Sequence, residues 1–574
     1  MARKPAAPGA VLAFLLAALV FLGGCSSIPT VGPVGTATAS AGGSALSNQL
    51  SYSPPGPAED AGPQEIIDGF ITAGVGAGED YSAAREFLTA ELASSWVPSE
   101  RVVIYGADPN VVPLPEPNAF QIQLEVVASV NAKGVRTESA PGTTETIQVR
   151  LTQNADEQWR ISGIPNGVMI SDVMFPTVFQ AHNLYFYSST YRYWVPDTRW
   201  FVQRSGMAAS VVNAMLAGPA PYLQGAVTSA FPAETSLARD AVPVVSGVAS
   251  VDFSAEVLED SSDLSRQQMA LQLEQNLRQL NNVNSVEMTV NQRPVDLGPE
   301  SSELIPVQDN PSVGNTQVAV AGDGLTFFRD RQAQPIANLP DVSEYDPREP
   351  AVSVDLDTIA FLSGDRNTLL VTGPDKDVAP VAAGRGLSGP SIDPEGWIWS
   401  ASHGDGGGPG SKLLAVGPDL RASNGAGLTP SWLADMTVRD LRISRDGARA
   451  LLVVEQGGAS RVLISGVVRA SDGTPQTLTT PFELWTTAPV TTAVWVGETE
   501  VAALQKGQDD TLTPVILDLA TENRVLAPWE GSFGLSGGDG AEDLFVQTPD
   551  AVYKKLGNGW IKEIDGLRDP AFPG

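Results

Sequence analysis

Ala249-Ser250-Val251-Asp252-Phe253-Ser254 alternates cleanly, so Ala249, Val251 and Phe253 share the core face of a strand. Behind it, Met269, Leu273, Leu277 and Leu280 recur at helical spacing, with Ser265-Arg266-Gln267-Gln268 as the expected capping box. Val286, Met288 and Val290 then return as a second strand. Ahead of this unit, His182 to Tyr187 and Arg199 to Val202 read as strands. A helix between them and the unit places Met207, Val211 and Met215 on one stripe, beside Ala208, Val212 and Leu216, and Gly218-Pro219 stops it. Residues 175–300 are therefore expected to form a small α/β domain.

Working outward, residues 62–174 open with Ile66, Ile67, Phe70 and Ile71 at helical spacing, and a second helix is expected from Tyr81 to Trp96. Strand-like alternation follows in Phe120 to Val126, Thr146 to Leu151 and Trp159 to Ile161. Helices followed by a curved antiparallel sheet predict an α+β domain of cystatin-like or nuclear-transport-factor-like topology. From residue 301 to 574 the chain breaks into short β runs separated by Gly, Asp and Pro. A loose repeat starts near Gln317, Val352, Pro390, Leu441, Thr492 and Gly534. That spacing suits four-stranded blades, and Ser444-Arg445-Asp446-Gly447 followed by Ala450 to Val454 resembles the repeat of TolB-like and WD40-like proteins. An all-β propeller of about six blades is expected.

The first residues carry Arg3-Lys4, an apolar run from Val11 to Leu22, and then Gly23-Gly24-Cys25. The run is too short to cross a hydrocarbon core of about 30 Å as a helix, so residues 1–24 read as a secretory signal peptide. Leu22, Gly23, Gly24 and Cys25 resemble a bacterial lipobox. The resemblance implies cleavage before Cys25 and a diacylglyceryl group on its sulfur, although most lipoboxes hold Ala, Ser, Thr or Val where Gly23 stands. Residues 25–61, rich in Ser, Gly, Ala, Thr and Pro, form the expected flexible tether. Two or three acyl chains, at about 0.8 kcal/mol per buried CH₂, make desorption negligible. The chain is thus expected to be lipid-anchored in the outer leaflet of the cytoplasmic membrane, on the extracytoplasmic side.

Composition narrows the chemistry. The 574 residues carry a net charge of −31, so a nucleic-acid partner is not expected. One cysteine and two histidines exclude a disulfide framework and most metal centres, and neither metal nor cofactor is expected. Gly534-Leu535-Ser536-Gly537-Gly538 has the letters of a nucleophile elbow, but such a serine needs a histidine base, and His182 and His403 lie in other segments. It reads as a propeller loop. Gly384-Arg385-Gly386-Leu387-Ser388-Gly389 has dinucleotide-loop spacing, but Pro390 follows where a helix must start. The glycine-rich run after His403 lacks alternating acidic ligands and reads as a flexible loop. No pair of carboxylates stands out as catalytic, so the chain is expected not to be an enzyme. The aromatic run Tyr185, Tyr187, Tyr191, Tyr193 and Trp194 either presents a partner surface or fills the core.

A family resemblance rests on Met215-Leu216-Ala217-Gly218-Pro219, Ala230-Phe231-Pro232-Ala233-Glu234-Thr235, the strand from Ala249 and the strand from Val286, which together look like a GerMN domain. With the lipobox and Ser27-Ile28-Pro29 through Gly32-Pro33-Val34 behind it, the whole chain is similar to the LpqB family of actinobacterial lipoproteins. The resemblance implies a partner, the extracellular domain of the MtrB sensor histidine kinase, whose output through MtrA affects cell-wall homeostasis and division. Peptidoglycan, bound as glycan or peptide, is the rival partner, and a wall hydrolase is the third reading.

Overall fold

Pro63 starts the first helix, Pro63–Ala73, where its missing N–H leaves no donor unpaired. Glu65 reaches back to accept a hydrogen bond from the Gly62 amide at 2.8 Å. The helix buries Ile66, Ile67, Phe70 and Ile71 against a sheet ordered Trp159–Gly163, Thr144–Gln153, Ala119–Asn131, Arg101–Tyr105 and Val168–Ser171. The long central strand Ala119–Asn131 turns Ile122, Leu124, Val126, Ala128 and Val130 inward. Pairing is antiparallel except between Arg101–Tyr105 and Val168–Ser171, which run parallel with Val102 opposite Val168. The computed structural model describes residues 54–574 apart from 78–79, 205, 259–260, 404–409 and 420–427. Leu22, Gly23, Gly24 and Cys25, the signal peptide, most of the tether and the glycine run 404–409 lie outside the described residues.

The single helix expected from Tyr81 to Trp96 is two short ones, Ser82–Glu86 and Ala90–Ser95. Between them the chain leaves the helix to bridge the sheet. The Ile161 amide donates to the Phe87 carbonyl and the Thr89 amide to the Ile161 carbonyl, both at 2.9 Å. These bonds satisfy backbone groups that a continuous helix would have paired within itself.

In the middle domain, Phe179–Ser188 pairs antiparallel with Trp194–Val202 and with Val227–Thr228. Val248–Phe253 and Ser285–Val290 run parallel, with Val251 opposite Met288, and the helix Asp263–Leu277 makes the crossover between them. Its cap is Ser262, whose hydroxyl accepts from the Ser265 amide at 3.1 Å. The helix thus begins ahead of the expected capping box. Met269, Leu273 and Leu277 fill the core, while the buried amides of Gln272 and Asn276 hold the backbone of Tyr185.

Among the described residues six sheets follow, one per expected repeat. The first blade contains Gln317–Ala321, Gly324–Arg329 and Gln332–Pro335, and its innermost strand is Leu567–Ala571, from the far end of the domain. This closes the ring and removes the free edges that an open array would expose. Blade two begins at Arg348–Val352, three at Ser391–Ile392, four at Thr437–Ile443, five at Val490–Trp495 and six at Gly534–Gly537. Three hairpins repeat one turn: Ser353, Ser363 and Ser444 each donate to the aspartate two residues on, at 2.5, 2.6 and 2.6 Å. Each serine also accepts the amide five residues on. Buried polar groups stitch neighbouring blades, as where Thr492 of blade five donates to Asp440 of blade four at 2.6 Å.

Candidate functional site at the domain junction

The strand Trp194–Val202 carries Asp197 and Arg199 two residues apart, and period-two geometry puts both on one face. Both are buried, at 0% and 1% exposure. Arg199 Nε donates to Asp197 Oδ1 at 2.8 Å and Nη2 to Oδ2 at 2.6 Å, a bidentate pair. Nη1 donates to the Lys133 carbonyl of the first domain at 2.7 Å, and Nη2 to the Gly218 carbonyl at 3.3 Å. The Ala220 amide completes the set by donating to Asp197 Oδ2 at 2.7 Å. One ion pair thus fixes both the first domain's turn and the segment after Gly218.

That segment meets the propeller. Ala220, Tyr222 and Leu223 join Val135 of the first domain and Val195 in one apolar cluster with Leu451, Val462, Ile464 and Ala503 of blades four and five. Tyr222 lies 5.5 Å, centroid to centroid, from Phe482, and its carbonyl accepts from the Thr479 hydroxyl. Close approach here requires Gly466: a Cβ at that position would sit 2.6 Å from Ala226 Cβ and 2.7 Å from the Tyr222 carbonyl oxygen. A core shared among three domains opposes the relative motion that small polar interfaces allow.

A second polar knot lies alongside. Glu498 of blade five accepts from Asn183 at 3.1 Å and from the Tyr185 hydroxyl at 2.9 Å. Its carbonyl accepts from Arg449 Nη1 at 2.6 Å, and Arg449 pairs with Asp446 at 2.5 Å while lying 4.8 Å from the Trp495 ring centroid. Burial pushes the Glu498 carboxyl above its ordinary 4.5 against the hydrogen bond from Tyr185; Asp309 raises it further and Arg449 lowers it. A raised carboxyl pKa means the native state holds the proton more tightly than the unfolded chain. Stability from this group is full below 4.5 and declines as pH rises toward the folded-state pKa. Glu498→Gln keeps an acceptor for both donors, so its thermal midpoint is expected to fall less between pH 4.5 and 7.5 than that of the unaltered chain. Parallel pH profiles of the two proteins would refute this.

The aromatic run lies inside the seam. Tyr185, Tyr187 and Trp194 are buried, Tyr191 and Tyr193 half-buried, and the Tyr187 ring lies 4.3 Å from Trp194 and 4.8 Å from Tyr191. Leu271 and Val307 cover them, and the Trp194 amide donates to the Gln308 carbonyl. Of the two readings of this run, the packed one describes the chain: these rings pack the middle domain against the segment at Val307 and Gln308, and Tyr185 reaches the propeller.

Ser536 is buried within the strand Gly534–Gly537, not in a loop, and donates to Gln317 at 2.6 Å, tying blade six to blade one. Gly384 to Gly389 connects Lys376–Ala383 to Ser391–Ile392 with no helix behind it. Among the described residues no group of three or more His, Cys, Asp or Glu is placed to hold a metal ion, and no helix is long and apolar enough to cross a membrane. The junction residues Lys133, Asp197, Arg199, Gly466 and Glu498 were not anticipated. The Asp197-Thr198-Arg199 spacing, opposite charges on one face of an otherwise apolar strand, is the signal that could have marked the pair.

Between the first and middle domains, beside Arg199, lies a cleft of about 380 Å³. Tyr81, Phe179, Trp200 and Phe201 are among its walls, and Lys133 and Arg204 stand exposed at its rim.

Three family models match the chain. Residues 56–176 match the model described as the N-terminal domain of Lipoprotein LpqB, 183–296 a model described as sporulation and spore germination, and 323–573 the Lipoprotein LpqB beta-propeller domain. The chain is 26% identical to Lipoprotein LpqB of Streptomyces coelicolor, over 99% of this chain and 98% of that protein. It is 29% identical to Lipoprotein LpqB of Bifidobacterium longum over 40% of each chain. Among solved structures it is similar to the first GerMN domain of the sporulation protein GerM from Bacillus subtilis, at 19% identity and a TM-score of 0.18, covering 22% of this chain and 94% of that one. With three domains matched in order and a relative aligned along nearly its whole length, the chain belongs to the LpqB family of lipoproteins.

Proposed function

We propose that this chain is lipidated at Cys25, is held at the outer leaflet of the cytoplasmic membrane, and acts there without catalysis as an accessory of an MtrB-like sensor histidine kinase, influencing cell-wall homeostasis and division. The observation that supports this reading most is the core shared by three domains. A body so joined carries a contact on any one face as a change in the placement of the whole, which suits a tethered regulator. Such an accessory biases a kinase only by preferring one signalling state, because equal affinity for both shifts nothing.

The shared core also dictates the experiment, since deleting one domain would strip the cores of its neighbours. Full-length protein and Cys25→Ser are compared in cells for lipid mass, membrane retention and phosphorylation of the response regulator. The expected outcome is a diacylglyceryl adduct on the unaltered chain, release of Cys25→Ser from the membrane, and altered phosphorylation in that strain. Unaltered phosphorylation despite release would count against regulation. Retention of the protein on purified peptidoglycan but not on the kinase sensor domain would favour the wall-binding reading.

A further inference from the structure

We propose that the cleft between the first and middle domains binds a small amphipathic organic anion, an apolar or aromatic body carrying one negatively charged head. Its volume, about 380 Å³, falls in the range of small-ligand sites, which favour boundaries between domains. The walls supply the apolar part: Tyr81 and Phe179 are buried, while Trp200 and Phe201 are half-buried. Aromatic walls of this kind reward a flat apolar ligand with large contact area at little entropic cost.

The rim supplies the charge. Among the described residues neither Lys133 Nζ nor Arg204 has a carboxylate partner, whereas the other charges lining the cleft are already paired. Asp80 is bound by Arg85 at 3.2 Å, and Arg199 by Asp197 at 2.6 Å. Arg204 stands near enough to Tyr81 to draw down a phenol pKa that burial otherwise raises. Two uncompensated cations at the mouth of an aromatic cleft stand out on a chain of net charge −31. Local attraction of this kind survives an unfavourable overall field, because low-dielectric walls concentrate it. Lys133 also offers its carbonyl to Arg199, so an occupied cleft would touch the residue that joins first and middle domains.

Isothermal titration of the full-length protein with naphthoate, and with neutral naphthamide of the same shape, tests both halves of the proposal. The expected result is one saturable site for naphthoate, with naphthamide about tenfold weaker. Lys133→Gln combined with Arg204→Gln is expected to weaken naphthoate by a similar factor and leave naphthamide unchanged. Ala214→Leu, which fills the cleft from the helix Met207–Leu216, is expected to abolish both. Thermal midpoints confirm that each variant folds. Absence of a saturable site, equal affinity for acid and amide, or unchanged naphthoate binding in the charge variant would each overturn the proposal.

Discussion

Asp197→Ala is expected to lower the unfolding free energy by about 3–5 kcal/mol, the range for breaking a buried ion pair from one side. The loss exceeds that of a surface pair because nothing replaces the carboxylate. Arg199, 1% exposed, would keep only the carbonyls of Lys133 and Gly218, and the Ala220 amide would lose its acceptor. Urea titration followed by tryptophan fluorescence measures the loss. The double variant Asp197→Leu with Arg199→Met should cost less than Asp197→Ala alone, since it leaves no unpaired charge. A single-variant loss below about 1 kcal/mol, the level of an exposed pair, would show that water reaches the pair.

Gly466→Val is the second large effect, of about 1–3 kcal/mol, typical of forcing atoms into a filled core. Here the obstacle is partly backbone. The Tyr222 carbonyl cannot rotate aside as a side chain could, so the segment 220–226 must withdraw from blade four. Proteolysis within that segment is expected to be faster than in the parent protein. Ala226→Gly in the same chain removes the nearest of the three contacts and should restore part of the protection. Equal protection in Gly466→Val and the parent would mean that the loop does not rest on the blade.

Legibility followed the range of the interactions. The strand from Ala249 and the return strand from Val286 could be read because alternation is written into consecutive residues, and the parallel pairing adds little to that pattern. Six starts were visible because short β runs recur at a regular spacing between Gly, Asp and Pro; the serine and aspartate turns belong to blades two and four. The break at Phe87 to Thr89 was not visible, because its cause is Ile161, far along the chain. Nor was the burial of Tyr185 and Trp194: an aromatic stripe looks the same whether its covering element is another protein or the linker at Val307 and Gln308. Glu498 and Gly466 carry no local mark, since each gains its meaning from a domain packed against it.

The pairing of Leu567–Ala571 with Gln317–Ala321 sets the order in which the molecule can be completed. A polypeptide folding from its amino end presents blade one with its innermost position vacant until the last strand arrives. Bringing ends so distant in sequence together carries a loop-closure cost and slows formation of the final contacts. During that interval the edge of Gln317–Ala321 is open to pairing with another nascent chain, so its safekeeping falls to whatever chaperones meet the unfinished protein.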